Sequence, residues 1–143
     1  MALPKRNFHG NMINPSPTIT EQAGAEIADV RCRIMKYDEN GKAVLATAGS
    51  DVLVGVALIE AGYNDITGVT SGKVAAGDDV DILVKDMGMV LAGVEIKKGQ
   101  EITAGADGLA AVAASGNYVI GIALSDAAAN DVVNIQVAKY WKA

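Results

Sequence analysis

Apolar and polar residues alternate along most of the chain after Thr20. In "VRCRI" the apolar residues Val30, Cys32 and Ile34 fall on one side of an extended segment and the two arginines on the other. The same period of two recurs in "VDILV" (residues 80–84) and "DVVNIQV" (residues 131–137). The stretches "ALIEAG" and "ALSDAAAN" favour helix, but each is too short for more than a turn or two. The pattern predicts an all-β domain, a small β-barrel or β-sandwich.

Turn-forming residues separate these segments. Asn-Gly at residues 40–41 and Asp-Gly at residues 107–108 are dipeptides typical of tight hairpins. "VAAGDDV" (residues 74–80) and "IKKGQEI" (residues 96–102) share an apolar-x-x-Gly-polar-acid-apolar spacing, in which the glycine suits a turn position with positive φ. We predict that six glycines are structural turn residues: Gly41, Gly55, Gly77, Gly99, Gly108 and Gly121.

The chain also repeats itself. "VLVGVALIEAGYND" (residues 52–65) resembles "YVIGIALSDAAAND" (residues 118–131), and this alignment places Asn64-Asp65 on Asn130-Asp131. With the preceding hairpins the repeat covers residues 40–69 and 107–135, and "GAEI" (residues 24–27) is echoed by "GQEI" (residues 99–102). Two copies are too few for a solenoid. They predict two pseudo-equivalent halves of one β domain, which we place at residues 21–143.

Residues 1–20 have no helical or strand period and contain all three prolines of the chain. They are either a disordered terminus or an extended arm that a partner orders. Their apolar residues exceed what a solvating tail needs, which favours the arm. We predict that the partner-binding residues of this arm are Leu3, Pro4, Lys5, Arg6, Phe8, Met12, Ile13, Pro15 and Pro17.

Charge and composition exclude several classes of partner. The 143-residue chain has a formal net charge of −5, and from Ala43 onward twelve acidic residues stand against six lysines. That balance repels phosphate, so we expect no nucleic-acid partner. No apolar run approaches the ~20 residues of a membrane span, so we expect no membrane partner. The start lacks the apolar run of a secretory signal and Cys32 is the only cysteine, which fits a reducing cytoplasm.

Few residues offer chemistry. His9 lies in the arm, and Cys32 lies on the predicted apolar face, where a buried structural thiol is the expected role. Asp78, Asp79 and Asp81 are the best candidates for a cation site, but their spacing lacks the pattern of a calcium loop, so we assign no metal. No phosphate-binding loop and no serine with a usable base is present. We therefore expect no enzyme and no cofactor.

Two binding classes remain as alternatives to a purely structural role. The hairpin-like segments resemble those of biotinyl and lipoyl carrier domains, but Lys85 in "VKDMGM" lacks the flanking residues of a modified lysine. A phage fibre or surface-adhesin subunit would have small β repeats of this kind and would differ by binding a receptor. The six aromatic residues show no groove for a sugar.

The segment "KKGQEITAGADGLAAVAASGNYVIGIALSDAAANDVVNIQV" (residues 97–137) resembles the capsid decoration, or cement, proteins of tailed phages. The resemblance lies in the order Gly-acid-apolar, Asp-Gly turn, Ala-rich strand, Gly-x-Ala-Leu, Ala-rich turn and final Val/Ile strand. It is strongest over residues 73–137 and weaker, through the internal repeat, over residues 24–65.

The resemblance implies a virion structural protein on the exterior of the capsid, made in the host cytoplasm. Such proteins bind the major capsid protein, commonly as homotrimers, and stabilise the head against packaged DNA. The acidic β body and the apolar arm are compatible with this role, because an extended arm can add a strand to a neighbouring sheet.

Overall fold

The fold is all-β, as the alternating pattern predicts. The structure, a computed structural model, describes residues 16–62 and 71–143. Within these ranges the chain forms ten strands in two five-stranded antiparallel sheets, with a 3-10 turn at Ala106–Gly108. The strands are β1 (Thr18–Gln22), β2 (Ile34–Tyr37), β3 (Ala43–Leu45), β4 (Leu53–Ala57), β5 (Asp79–Leu83), β6 (Met87–Leu91), β7 (Glu101–Ala104), β8 (Ala110–Val112), β9 (Tyr118–Ala123) and β10 (Val132–Trp141).

The two sheets have the same topology. Their strand orders are β1-β5-β4-β2-β3 and β6-β10-β9-β7-β8, so each strand of the first half has its counterpart five strands later. A parallel bridge between Ala23 and Ala43 joins the two outer strands of the first sheet, and Ala92 and Ala110 form the same bridge in the second. Each half is therefore a small sheet rolled until its edges meet, and the prediction of two pseudo-repeated halves is confirmed.

The observed strand pairing corrects part of the predicted alignment between the two copies of the repeat. Ile27 bridges Val74, and Ile96 bridges Ala127 in the same way. "AGAEI" (residues 23–27) therefore corresponds to "AGVEI" (residues 92–96), and its pairing with residues 99–102 is wrong. The segment that follows, up to β2, is longer in the first half, and this insertion misled the sequence alignment.

The end of the repeat also differs from the prediction. Asp78 and Asp131 close equivalent turns directly before β5 and β10, so Gly77-Asp78 is the structural counterpart of Asn130-Asp131. The predicted counterpart, Asn64-Asp65, lies outside the described residues. The connection between β4 and β5 spans residues 58–78, whereas that between β9 and β10 spans only residues 124–131. The first half thus contains an insertion that the predicted boundary of residues 40–69 divides.

One β-turn recurs at five corners of the described chain. In each case the first carbonyl accepts a hydrogen bond from the fourth N–H at 3.1 Å. The third residue alone has positive φ, as in a type II turn. The turns span residues 30–33, 75–78, 97–100, 114–117 and 128–131, and their third residues are Cys32 (φ 56°), Gly77 (φ 89°), Gly99 (φ 90°), Gly116 (φ 83°) and Asn130 (φ 71°).

This turn accounts for two predicted glycines and corrects one predicted strand. Gly77 and Gly99 lie in turns with an open space where a Cβ would stand. Cys32, in contrast, is not on the face of a strand, because the "VRCRI" segment forms the first of these turns and β2 begins only at Ile34. The alternation there was misleading because a side-chain residue adopts the left-handed conformation that glycine adopts elsewhere.

Gly55 and Gly121 are not turn residues, which corrects that prediction. They lie inside β4 and β9, and a Cβ at either position would collide with the carbonyl oxygen of the neighbouring strand, that of Leu83 or of Gln136. Glycine is needed at these two equivalent positions because the backbones approach too closely for any side chain.

Each half encloses a core made from equivalent positions. In the first half Ile27, Met35, Val80 and Ile82 belong to one cluster of buried residues. Their counterparts belong to the cluster of the second half: Ile96, Ile102, Val133 and Ile135. All eight side chains are at most 5% exposed. Burial of each stabilises the fold by about 1.5–3 kcal/mol relative to exposure.

The first sheet supplies additional apolar residues to the core of the second. Ile34, Ala46, Leu53 and Val56 belong to the buried cluster that otherwise consists of second-half residues. Backbone hydrogen bonds reinforce this junction, since Leu91 N–H donates to the Cys32 carbonyl at 2.9 Å. The Gly108 and Tyr118 N–H groups donate to the carbonyls of Ala46 and Gly49 at 2.7 and 2.6 Å. The two halves are thus one packed unit.

The predicted boundary between the arm and the β domain, at residue 20, falls inside a strand. β1 begins at Thr18 and pairs with β5, with Thr18 opposite Leu83. The Pro17 carbonyl extends this ladder by accepting a hydrogen bond from Val84 N–H at 2.9 Å. The sheet therefore includes residues that we predicted as arm, and residues 1–15 lie outside the described residues.

The hairpin glycines Gly41 and Gly108 provide a first prediction. Both have positive φ (74° and 68°), but a Cβ at Gly41 meets open space, whereas a Cβ at Gly108 lies 2.6 Å from the Ile34 carbonyl oxygen. We expect Gly41→Ala to cost about 1 kcal/mol of unfolding free energy and Gly108→Ala about 2–4 kcal/mol, because only the second adds a clash at the junction of the halves. Urea titrations measure both. Equal losses would contradict the buried position of Gly108.

Asp51 provides a second prediction because it organises the loop between β3 and β4. Its Oδ2 accepts hydrogen bonds from Thr47 N–H at 2.8 Å and Ala48 N–H at 3.1 Å, and its Oδ1 lies 3.0 Å from Lys36 Nζ. Partial burial raises the pKa of Asp51, but these donors outweigh it and lower the pKa from 3.8 to about 2. Asn117 holds the equivalent place in the second half and accepts a hydrogen bond from Ala114 N–H.

The depressed pKa of Asp51 stabilises the folded state above pH 3.8, and this stabilisation is lost as the pH falls toward 2. It amounts to about 2 kcal/mol, at 1.36 kcal/mol per pKa unit. In Asp51→Asn, which copies the second half, we expect lower stability at pH 7 and a weaker loss of stability between pH 4 and pH 2. Urea unfolding at several pH values compares the two proteins. An identical pH dependence would show that Asp51 is not the group responsible.

Candidate functional site

The predicted arm residues lie almost entirely outside the described part of the chain. This applies to Leu3, Pro4, Lys5, Arg6, Phe8, Met12, Ile13 and Pro15. Pro17 is described, and it is half-buried at the start of β1. The predicted turn glycines are scattered over several corners and strands of the fold, so the predicted residues that the structure describes do not form one site.

The chain enters the described structure next to the junction of the two halves. Pro17 and Thr18 lie beside Leu83 and Val84, at the end of β5 and directly before the connection to β6. Paired residues on adjacent antiparallel strands point to the same face. Ile19 and Ile82 point into the core of the first half, so Thr18 and Leu83 point to the outer face.

On this outer face the structure has an apolar groove of about 540 Å³ between the two halves, which we call the inter-half groove. Its floor includes the buried side chains of Cys32, Ala57 and Leu83 from the first half. Burial raises the pKa of the Cys32 thiol, and the thiol is therefore neutral and unreactive near pH 7. The expectation that Cys32 is buried is confirmed.

The rim of the inter-half groove exposes large apolar side chains from both halves. Ile59 comes from the connection after β4, Met87 and Met89 from β6, and Leu124 from the turn after β9. Met87 is 67% exposed. Grouped apolar side chains of this kind mark interaction sites, and methionine adapts to partners of different shape. Sequence reasoning missed this groove, although the "MGM" of residues 87–89 was the available signal.

A second exposed apolar group lies at the end of β10. Trp141 is 55% exposed and pairs with Tyr118 of β9. Beside it the Glu101 carboxylate accepts a hydrogen bond from Tyr140 Oη at 2.5 Å and lies 2.8 Å from Lys142 Nζ. The Lys142 ammonium, followed by the Tyr140 hydroxyl, lowers the pKa of Glu101. These contacts link the end of β10 to β7, on the other side of β9.

The candidate cation ligands Asp78, Asp79 and Asp81 make hydrogen bonds within the fold or face solvent. Asp78 Oδ2 accepts a hydrogen bond from Ala75 N–H at 2.8 Å, and Asp81 Oδ1 accepts one from Thr20 Oγ1 at 2.6 Å. Asp79 is exposed at the start of β5. Within residues 16–62 and 71–143 no group of three or more histidine, cysteine or acidic side chains is placed to hold a metal ion.

Lys85 does not have the position of a modified lysine in a carrier domain. It lies in the connection of residues 84–86 between β5 and β6, which belong to different sheets. The modified lysine of a carrier domain would occupy the tip of a hairpin, and this connection joins the two halves instead. In the part of the chain that the structure describes, no helix is long and apolar enough to cross a membrane.

Comparison with known proteins found a solved structure of similar fold. The solved structure of the head fiber gp8.5 N base of bacteriophage phi29 superposes with a TM-score of 0.59 and 22% sequence identity, over 85% of this chain and 92% of that chain. At this identity the likeness shows a shared fold. A comparison with curated proteins found no match.

A family model described as XM1 gp53 minor capsid protein matches residues 3–137. The protein is therefore a structural component of a phage virion, associated with the capsid. More particularly, the chain belongs to the XM1 gp53 minor capsid protein family. The resemblance to phage capsid proteins is confirmed at this level.

Proposed function

We propose that the protein is a capsid decoration protein that binds the outer surface of the phage head and stabilises it. The observation that carries this proposal is the family match, which begins at residue 3 and so includes most of the arm together with the β body. A family pattern that extends through a segment without strand or helix period supports a function for that segment. We assign it the contact with the major capsid protein.

The chemistry of the arm suits a contact between proteins. Leu3, Phe8 and Ile13 supply apolar anchors, and Lys5 and Arg6 supply positive charge in a chain of net charge −5. Proline restricts the free arm, so less conformational entropy is lost on docking. The acidic body repels packaged DNA, which agrees with a place on the exterior of the head. The chain would be made in the host cytoplasm and join the head there.

We also propose a homotrimer and no catalytic activity. The exposed apolar rim of the inter-half groove and the exposed Trp141 provide surface that association can bury. Homo-oligomers usually have closed symmetry. Three arms on one particle raise the effective concentration of each, so weak individual contacts suffice. The chain has one histidine, in the arm, and its one cysteine is buried, so it offers little for catalysis.

A second candidate is the base of a head fibre. The structural neighbour is the base of a phage head fibre, and this chain covers 92% of it. Electron microscopy of the virion separates the two candidates. A decoration protein occupies many equivalent lattice positions on the head, whereas a fibre base occupies the foot of a projecting fibre. If the chain, once labelled, is found at the base of a projecting fibre, the decoration proposal is wrong and the fibre-base candidate takes its place.

Removal of the arm tests the proposed contact. Deleting residues 2–14 leaves Pro17 and β1 in place, so we expect the β body to keep its cooperative unfolding. Binding to empty heads should weaken at least ~10-fold, equivalent to about 1.4 kcal/mol, a modest loss for several apolar anchors. Co-sedimentation with heads over a concentration series measures this. Full-affinity binding by the truncated protein would move the contact to the β body.

The trimer has its own test. Light scattering coupled to size exclusion should give about three times the chain mass of 14.7 kDa, for the full-length protein at concentrations well above those of the binding assay. The same measurement on Trp141→Ser reports whether this exposed aromatic contributes to the contact. A monomer at all concentrations would exclude the trimer for the free protein.

A further inference from the structure

Three backbone hydrogen bonds cross the junction of the two halves within the described residues, and all three run in the same direction. In each, an N–H group of the second half donates to a carbonyl of the first half, in the pairs Leu91 to Cys32, Gly108 to Ala46 and Tyr118 to Gly49. The two halves therefore meet through different surfaces, which makes the junction a head-to-tail contact. A contact of this kind can be repeated, because equivalent units carry both surfaces.

The second half has a counterpart of the surface by which the first half binds it. Ile34 and Glu101 are the first residues of β2 and β7. Their carbonyls accept hydrogen bonds from equivalent N–H groups, those of Ala46 at 2.9 Å and Ala113 at 2.8 Å. Ile34 and Ala46 are fully buried in the shared core. Glu101 and Ala113 thus mark the place where a third half would dock by the same geometry.

The C-terminal residues occupy this place. Lys142 Nζ donates a hydrogen bond to the Ala113 carbonyl at 3.2 Å and lies 2.8 Å from a carboxylate oxygen of Glu101. The equivalent carbonyl, that of Ala46, accepts the Gly108 N–H of the next half instead. One ammonium group therefore replaces the donor that a further half would supply, and it pairs with the carboxylate that such a half would have to bury.

The backbone holds Lys142 in this position. The first half supplies no such segment, because β5 ends at Leu83 and the chain continues into β6. β10 is twice as long as β5 and reaches Trp141. Beyond it, the Lys142 N–H donates to the Asn117 carbonyl at 2.9 Å, and the Lys142 carbonyl accepts a hydrogen bond from the Gly116 N–H at 2.8 Å.

We propose that residues 140–142 are a cap that keeps a second copy of the chain from docking on the second half through its own first half. The counterpart of Gly108 on that copy is Gly41, in the hairpin between β2 and β3. A docking copy would have to displace Lys142 and bury the Glu101 carboxylate, and an unpaired buried charge is costly. End units of repeat proteins need such a polar outer face. The cap is a contact within one chain, so it does not depend on the capsid role.

Removing the cap should permit the contact. In the variant Glu101→Ile, Lys142→Ala, an apolar side chain replaces the carboxylate, as at Ile34, and the Ala113 carbonyl loses its donor. We expect the mass from light scattering to rise with concentration to at least ~2-fold that of the unchanged chain, because every docked copy adds one chain. The variant Glu101→Ala, Lys142→Ala removes the same charges with a smaller side chain and should associate in the same way. Cooperative unfolding curves show whether each variant is folded.

Gly41 shows whether this association is the proposed docking. A Cβ at Gly108 lies 2.6 Å from the Ile34 carbonyl oxygen, whereas a Cβ at Gly41 has no described atom within 4 Å. Adding Gly41→Ala to the uncapped chain should therefore restore the mass of the unchanged chain, because the new methyl would meet the carbonyl of residue 101 in the next copy. The matched control is Gly77→Ala, also at positive φ in open space. Its counterpart, Asn130, is exposed and carries a side chain, so this control should leave the association in place.

Several results would overturn the cap. A mass equal to that of the unchanged chain in both uncapped variants would show that residues 140–142 hold off no second copy. Association that survives Gly41→Ala would assign the contact to another surface, such as the side chain introduced at residue 101. In the otherwise unchanged chain, Gly41→Ala should keep the native mass. A lower mass would show that copies already dock through the first half despite Lys142.

Discussion

The closure of each five-stranded sheet is the constraint on which the rest of the structure depends. Five strands form a very narrow roll, and the outer strands meet at alanine pairs, Ala23 with Ala43 and Ala92 with Ala110. Inside the roll, Gly55 and Gly121 allow the backbone of a neighbouring strand to approach. The low aromatic content of the chain follows from this geometry, because a core of this width holds β-branched and small side chains.

The fold was predictable where local rules decide it. The alternation of Val80 and Ile82 and the Asn-Gly hairpin at Gly41 both describe short-range geometry, and the structure has a strand and a turn there. Prediction failed where a residue adopts a backbone conformation that is unusual for its type. Cys32 occupies a positive-φ turn position that glycine fills in the other half, and nothing in "VRCRI" signals it. Gly55 and Gly121 were misassigned because close approach between strands depends on tertiary packing.

The candidate site, like the fold, was predictable from the sequence only in part. The composition of the arm is a property of consecutive residues, so Leu3, Phe8 and Ile13 stood out from the sequence. The inter-half groove is assembled from separated segments, among them Cys32, Leu83 and Leu124. No periodicity brings these residues together, because their proximity depends on how the second sheet docks on the first. Only the paired methionines at residues 87 and 89 gave a local signal of exposed apolar surface.

The docking of the two sheets also makes the two halves dependent on each other. Ile34 and its counterpart Glu101 occupy the same position of the topology, yet one is fully buried at the junction and the other takes part in a surface ion pair. The two halves can no longer be exchanged or separated. A first half alone would expose Ile34, Leu53 and Val56, and a second half alone would lose part of its core. The repeat is therefore not a pair of interchangeable modules, because one face of the first half forms part of the inside of the whole domain.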